Sequence, residues 1–244
     1  MNMVVVFAGG TGKRMNNNVK PKQFLDLRGK PIIIHTLEIF ESHKEIDGVV
    51  VVCISEWINY FKELLNKYNI NKVKSVVSGG STGQLSIKAG LDEVKKIVME
   101  EKTIVLIHDG VRPLINEKLI SDNIDTVKKY GSAITTAVVV ETIMEVSDKG
   151  DIKYIPERKN SRYARAPQSF WLEDICNAHN NALEEGIIDF IDSCTMMQYY
   201  GYKMHLIDGP SENIKITTPE DYYIARAILD AKENSQIYGM GEIN

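Results

Sequence analysis

The residues best suited to chemistry stand at the start of the chain: Ala8-Gly9-Gly10-Thr11-Gly12-Lys13-Arg14-Met15, followed a few positions on by Pro21-Lys22-Gln23-Phe24. They come directly after the apolar run Val4-Val5-Val6-Phe7. Glycine adopts backbone angles that other residues reach only against steric cost, so a glycine loop at a strand end can turn backbone N–H groups toward an anion. Lys13, Arg14 and Lys22 add side-chain cations, and the simplest partner is a polyphosphate. The dinucleotide fingerprint fails, because Met15 stands where its third glycine falls. The ATPase phosphate loop fails too, because Arg14 rather than a hydroxyl follows Lys13. A plain connecting turn is the bland alternative.

Four further segments bear polar or glycine clusters. They are Ser78-Gly79-Gly80-Ser81 ahead of Ser86, His108-Asp109-Gly110-Val111-Arg112-Pro113, Ala166-Pro167-Gln168-Ser169-Phe170, and Asn213-Ile214-Lys215-Ile216-Thr217-Thr218-Pro219-Glu220-Asp221. The first two, with the N-terminal loop, follow expected strands, and open α/β sheets bind ligands beyond the carboxyl ends of their strands. No nucleophile-histidine-acid set is evident. His35 reads as a core histidine, and His108 reads equally as a structural histidine or as one that touches the site. Cys176 and His179 share a helical spacing, but no further ligands converge in sequence to make a zinc site.

The elements that must position these segments alternate along the chain. Short apolar, β-branched runs at 3 to 8, 48 to 54, 73 to 77, 103 to 107 and 132 to 140 read as strands. Amphipathic stretches at 31 to 43, 55 to 68, 84 to 99, 117 to 129, 171 to 185, 192 to 200 and 218 to 232 read as helices. This is an α/β chain with a Rossmann-like, open, mostly parallel sheet covered by helices on both faces. Residues 1–232 form one domain, and 233–244 a loosely held polar tail. Within the domain, 141–165 breaks the rhythm. A hairpin turning at Lys149-Gly150 leads into Arg158-Lys159-Asn160-Ser161-Arg162-Tyr163-Ala164-Arg165. It reads as a protruding β-arm with little core of its own, hence a homodimer contact, with Arg162 and Arg165 as solvated arm cations.

Composition narrows the partners. A net charge of -4 over 244 residues lacks the positive field that nucleic-acid or membrane-surface binding requires, so the local cations serve something small and anionic. Three scattered cysteines, Cys53, Cys176 and Cys194, make no disulfide framework and suit a reducing compartment. No apolar stretch approaches the ~20 residues of a membrane span, and the N-terminus lacks a signal-peptide layout. A cytoplasmic protein is expected.

Read in order, AGGTGKRM, PKQF, HTLEIF, SGG, HDGVRP, APQSF and NIKITTPED resemble the cytidylyltransferases that make CDP-activated polyols. These are the 2-C-methyl-D-erythritol 4-phosphate enzyme and the ribitol-5-phosphate enzyme of teichoic-acid and capsule pathways. The likeness spans residues 3 to 232 and leans to the ribitol-phosphate branch. It implies a fold of nucleotidyltransferase type and attack of a substrate phosphate on the α-phosphorus of CTP. A phosphate monoester, with second pKa ≈ 6, is already largely dianionic at neutral pH, so no general base is needed. Catalysis then reduces to charge neutralisation and positioning.

By that resemblance Arg14, Lys22 and Lys215 are the catalytic cations. Ala8, Gly9, Gly10, Gly12, Arg14, Lys22, Gly79, Gly80, Ser86 and Asp109 would hold the nucleotide, although a Ser at a helix start also reads as a cap. Thr142, Arg158 and Lys215 match the acceptor positions, the first two being offered to a neighbouring subunit. Asp109 is the expected Mg2+ ligand, a hard carboxylate at a strand end, against the alternative of a loop cap.

Two positions depart from the family pattern: Gly83 replaces an arginine, and Ala166 a threonine. Neither is one of the transfer residues, so nucleotidyl transfer is expected to survive, with ribitol 5-phosphate or a relative as the acceptor. The runner-up is the methylerythritol-phosphate enzyme. A non-catalytic CTP-binding regulator is the reading from another class, and an NAD-dependent reductase is disfavoured by the missing glycine.

Overall fold

The structure is a computed structural model that describes residues 1–10, 20–98 and 102–238. In chain order its elements are β1 (Asn2–Ala8), β2 (Asp26–Leu27), β3 (Lys30–Pro31), α1 (Ile32–Ser42), β4 (Gly48–Cys53), α2 (Ile58–Lys67), β5 (Val73–Ser78), α3 (Gly83–Ile97) and β6 (Ile104–Asp109). There follow α4 (Glu117–Tyr130), β7 (Ser132–Val138), β8 (Glu145–Val146), β9 (Ile152–Tyr154), β10 (Arg162–Trp171), α5 (Leu172–Glu184), α6 (Ser193–Tyr199), β11 (Leu206–Asp208) and α7 (Pro219–Tyr238). Among the described residues seven strands form the central sheet, in the order β11-β7-β10-β6-β1-β4-β5. All pairings are parallel except those of β10, which runs antiparallel to β6 and β7.

The valine-rich strands are explained by burial on both faces. Every residue of β4 and β6 is buried. On one side α1, α2 and α4 enclose Phe24, Phe40, Phe61 and Leu37; on the other, α3, α5 and α6 enclose Val5, Ile107, Phe170 and Ile175. Burying a large apolar side chain contributes about 1.5–3 kcal/mol, so these two layers fix the sheet. α7 joins a smaller cluster with Leu27, Ile32, Val111 and Ile216. Its start is capped reciprocally: the Thr217 and Thr218 N–H groups donate to Asp221 Oδ2 at 2.8 Å, and the Asp221 N–H donates to Thr218 Oγ1 at 3.3 Å.

The expected alternation of strands and helices is present, with three differences. The end of the basic run expected to belong to an arm, from Arg162 on, is part of β10, which fills the gap between β6 and β7. Its register breaks between Ala164 and Gln168, and Pro167, which follows a cis bond from Ala166, sits in that break. Proline has no N–H to donate, and within a central strand it is tolerated where the ladder is interrupted. The short edge strand β11 and the β2–β3 pair carry too little apolar pattern to announce themselves. Finally, α7 runs to Tyr238, past the expected helix end at 232. The hairpin part of 141–165 exists as β8 and β9, a two-stranded sheet separate from the central one, with its turn at Gly150 (φ 86°).

Candidate active site

Four strand ends meet at one edge of the sheet. Register places Ala8 beside Cys53, Cys53 beside Ser78, and Phe7 beside Asp109. Gly9-Gly10, the 78–80 segment and the Asp109 loop therefore follow neighbouring strand ends, as the sequence reading expects of that edge.

On the glycine side the organiser is Ser86. Its buried hydroxyl donates to the Thr82 carbonyl at 2.8 Å and accepts from the Gly80 N–H at 3.1 Å. The cap of α3 is Thr82, whose Oγ1 accepts from the Leu85 N–H at 3.1 Å. A Cβ on Gly79 would fall 2.9 Å from Ser86 Oγ, one on Gly80 2.5 Å from Leu85 Cβ, and one on Gly9 3.6 Å from Ser86 Oγ. Gly9 and Gly79 thus approach one hydroxyl from two loops, and any side chain on Gly79 would collide with it.

On the cationic side Asp109 is the hub. Its Oδ1 accepts from Lys215 Nζ at 2.6 Å, and its Oδ2 accepts from Arg112 Nε at 3.2 Å and Nη2 at 3.0 Å. Arg112 is itself buried and donates through Nη1 to the Asn213 carbonyl at 2.7 Å. Burial alone would raise the Asp109 pKa, but the Arg112 and Lys215 charges outweigh it and hold the carboxyl at about 2. The group is ionised at neutral pH. Lys215 also lies over the Phe7 ring at 5.7 Å. Lys22 Nζ donates to the Ile216 carbonyl at 3.2 Å, and its Cε lies 4.0 Å from where a Gly10 Cβ would be. Gln23 Nε2 donates to the Ala8 carbonyl at 2.6 Å. Two lysines far apart in sequence are thereby drawn to the end of β1.

Ala8, Gly9, Gly10, Lys22, Gly79, Gly80, Ser86, Asp109 and Lys215 therefore belong to one sheet edge. Gly12 and Arg14 lie outside the described residues. Thr142 is exposed, and Arg158 is exposed and donates to the Val140 carbonyl at 3.0 Å; neither lines the cavity beside Asp109. Among the described residues no group of three or more His, Cys, Asp or Glu could hold a metal. Asp109 contributes one carboxylate, which fits a magnesium ion that takes its remaining ligands from phosphate oxygens and water. It does not fit a dedicated protein cage.

Sequence reasoning missed two residues. Arg165 is not a solvated cation. Its Nη1 donates to the carbonyls of Pro210, Ser211 and Asn213 at 3.2, 2.8 and 3.1 Å, and it lines the cavity. Asn213, fully buried, donates to the Ala166 carbonyl at 2.8 Å. Together they tie the break in β10 to the segment carrying Lys215. Their place next to Ala166-Pro167 and within the Asn213-to-Asp221 run is the signal that could have found them. Beside this cluster a cavity of about 400 Å³ opens under α3 and α5, with Asp109, Arg165 and Lys215 in its wall.

The sequence profile of the family described as IspD, 2-C-methyl-D-erythritol 4-phosphate cytidylyltransferase, matches residues 2–231. The chain is 51% identical over 240 residues to the ribitol-5-phosphate cytidylyltransferase of Streptococcus agalactiae serotype V, covering 98% of this chain and 100% of that protein. To the ribitol-5-phosphate cytidylyltransferase of Vibrio parahaemolyticus serotype O3:K6 it is 52% identical over 239 residues, with coverage of 98% and 100%. The 2-C-methyl-D-erythritol 4-phosphate cytidylyltransferase of Clostridium acetobutylicum is 39% identical over 236 residues, with coverage of 96% and 99%. Among solved structures, 4-diphosphocytidyl-2C-methyl-D-erythritol synthase from Anaerococcus prevotii superimposes with a TM-score of 0.81 at 27% identity, covering 94% of this chain and 96% of that one.

Proposed function

Because this chain belongs to the IspD family of cytidylyltransferases, we propose that it transfers CMP from CTP to ribitol 5-phosphate, giving CDP-ribitol and pyrophosphate. The observation that carries the reaction class is the Lys215–Asp109–Arg112 cluster set beside Lys22 at the strand ends. The acceptor rests on the relatives named for ribitol 5-phosphate, which match at 51–52% identity end to end, against 39% for the Clostridium acetobutylicum methylerythritol-phosphate enzyme.

The chemistry is a displacement at phosphorus. An oxygen of the acceptor phosphate bonds to the α-phosphorus of CTP, the bond from that phosphorus to the α–β bridging oxygen breaks, and pyrophosphate leaves with the electron pair. The nucleophile is already anionic, so the protein's task is to hold two repelling anions in line. Lys22 and Lys215 supply positive charge at that point. Asp109 anchors Lys215, and Arg112 anchors Asp109. Gly79, Gly80 and Ser86 receive the nucleoside. Asp109 would be the residue that holds a magnesium ion, which would supply further charge neutralisation at the triphosphate.

The protein acts in the cytoplasm as a homodimer. Support for the dimer comes from Met144, Val146, Ile152, Tyr154 and Ile155, all exposed on the β8–β9 segment, with Thr142 and Arg158 alongside to reach a partner's acceptor. No helix among the described residues is long and apolar enough to cross a membrane. The test is pyrophosphate release with CTP, Mg2+ and a panel of acceptors. The highest kcat/KM is expected for ribitol 5-phosphate, and a preference for 2-C-methyl-D-erythritol 4-phosphate would replace this reading with the runner-up.

A further inference from the structure

Resting on that acceptor reading, we propose that the polyol chain of the acceptor lies in the cavity under α3 and α5, with its far hydroxyl bound by His179. The cavity of about 400 Å³ falls within the range of small-ligand sites. Asp109 and Lys215 of the reaction cluster are in its wall, and so is His179 of α5. A molecule whose phosphate is held at Lys215 can therefore extend its carbon chain toward His179.

Most polar side chains around this space are already committed to the protein. Gln84 donates to the Ile187 carbonyl at 2.8 Å and accepts from the Phe190 N–H at 2.9 Å. Gln168 donates to Asp192 Oδ2 at 2.8 Å and accepts from the Cys194 N–H at 2.8 Å. Asp192 caps α6, accepting from the Thr195 N–H at 2.8 Å. These bonds build the wall and do not read a ligand.

His179 differs. It is 1% exposed, and neither Nδ1 nor Nε2 has a hydrogen-bond partner among the described residues. Its helix neighbours Ile175, Ala178 and Ala182 are apolar and buried, so an apolar residue would complete this surface without leaving polar atoms unmatched. Burial also holds the ring neutral. A neutral imidazole offers one donor and one acceptor, the complement of a hydroxyl that gives one hydrogen bond and takes another.

The entrance supports the same occupant. Gly83, the first residue of α3, lines the cavity, and a Cβ built on it meets nothing within 4 Å. The opening is kept by the missing side chain. Ile191, also in the cavity wall, is 88% exposed, an apolar surface that a carbon chain would cover.

The experiment measures KM for ribitol 5-phosphate and for CTP in the full-length enzyme and in His179→Leu, His179→Gln and Gly83→Leu. His179→Leu is expected to raise the acceptor KM about tenfold, the loss of one well-made polar contact, with the CTP KM and thermal midpoint held or the midpoint raised. His179→Gln, which keeps a donor and an acceptor, restores most of the loss. Gly83→Leu fills the entrance and raises the acceptor KM while sparing CTP. As a second readout, the His179 ring resonances are expected to shift on titration with ribitol 5-phosphate. An acceptor KM within about twofold of wild type in His179→Leu, a parallel rise of both KM values, or ring resonances that stay still overturns the assignment. A wild-type enzyme inactive on ribitol 5-phosphate defeats the acceptor reading instead, and the ring titration still decides the pocket.

Discussion

Lys215 Nζ stands 2.6 Å from Asp109 Oδ1, yet the two side chains are placed very differently: Asp109 is 7% exposed and Lys215 40%. The carboxylate is fixed from behind by Arg112, while the ammonium at its front faces the cavity. An anchored anion with a forward-facing cation can hold a phosphate without losing its own position.

Replacing Lys215 with alanine should therefore remove charge stabilisation and little else. A fall in kcat/KM of about 10²- to 10³-fold is expected, by analogy with other transition-state donors. The thermal midpoint should move by no more than a partly exposed ion pair allows, about 1 kcal/mol or less. Steady-state kinetics beside a melting curve checks both.

Asp109→Ala should behave otherwise, because it strands the Arg112 guanidinium, whose side chain is 8% exposed. Breaking a buried pair from one side costs about 3–5 kcal/mol, so a urea titration should show a clear loss of stability along with lost activity. Asp109→Asn, which keeps an acceptor for Arg112, should recover part of the stability and none of the fixed charge.

Much of this edge was legible in the sequence, and the reasons are specific. β4 and β6 announce themselves because burial on both faces selects the apolar runs at 49–52 and 104–107, and the loops that follow such strands gather ligands. The glycines of 79–80 are readable because a Cβ there has nowhere to go. β10 is not readable: four arginines and lysines and a proline in or before it outweigh any strand pattern, and only the waiting edges of β6 and β7 make it a strand. The Lys215–Asp109 pair is also invisible in sequence as a pair, since nothing local reports a long-range contact. Arg165 resembled a solvated cation because its three carbonyl partners lie on a loop that reaches it only in the folded chain.

Acid should weaken the fold in two stages. Burial, reinforced by the Lys88 charge at His179 and the Arg112 charge at His108, holds both histidines at about 4 against an ordinary 6.5. Between those values the unfolded chain takes up protons that the folded chain refuses, so stability is full above pH 6.5 and falls as the pH drops toward 4. Asp109, at about 2 against 3.8, then withdraws its own contribution as the pH falls below 3.8. Urea midpoints from pH 7.5 downward should decline through the first window, and His179→Leu should flatten that decline.

The seat of α3 offers a test of packing. A Cβ on Gly90 would lie 2.5 Å from Val5 Cγ1 and 2.9 Å from Val52 Cγ2. Gly90→Ala should lose about 1–3 kcal/mol through overpacking, despite alanine's better helix propensity. Because Ser86 rides on the same helix, the CTP KM should rise as well.

The most direct measurement is the product itself. Mixing the enzyme with CTP, Mg2+ and ribitol 5-phosphate and following the phosphorus resonances should show equal amounts of pyrophosphate and a new cytidine diphosphate diester, formed far more slowly when Lys22 or Lys215 is replaced by methionine. Hydrolysis of CTP without a diester, or an undiminished rate in both methionine variants, would contradict a site that works by holding two phosphates together.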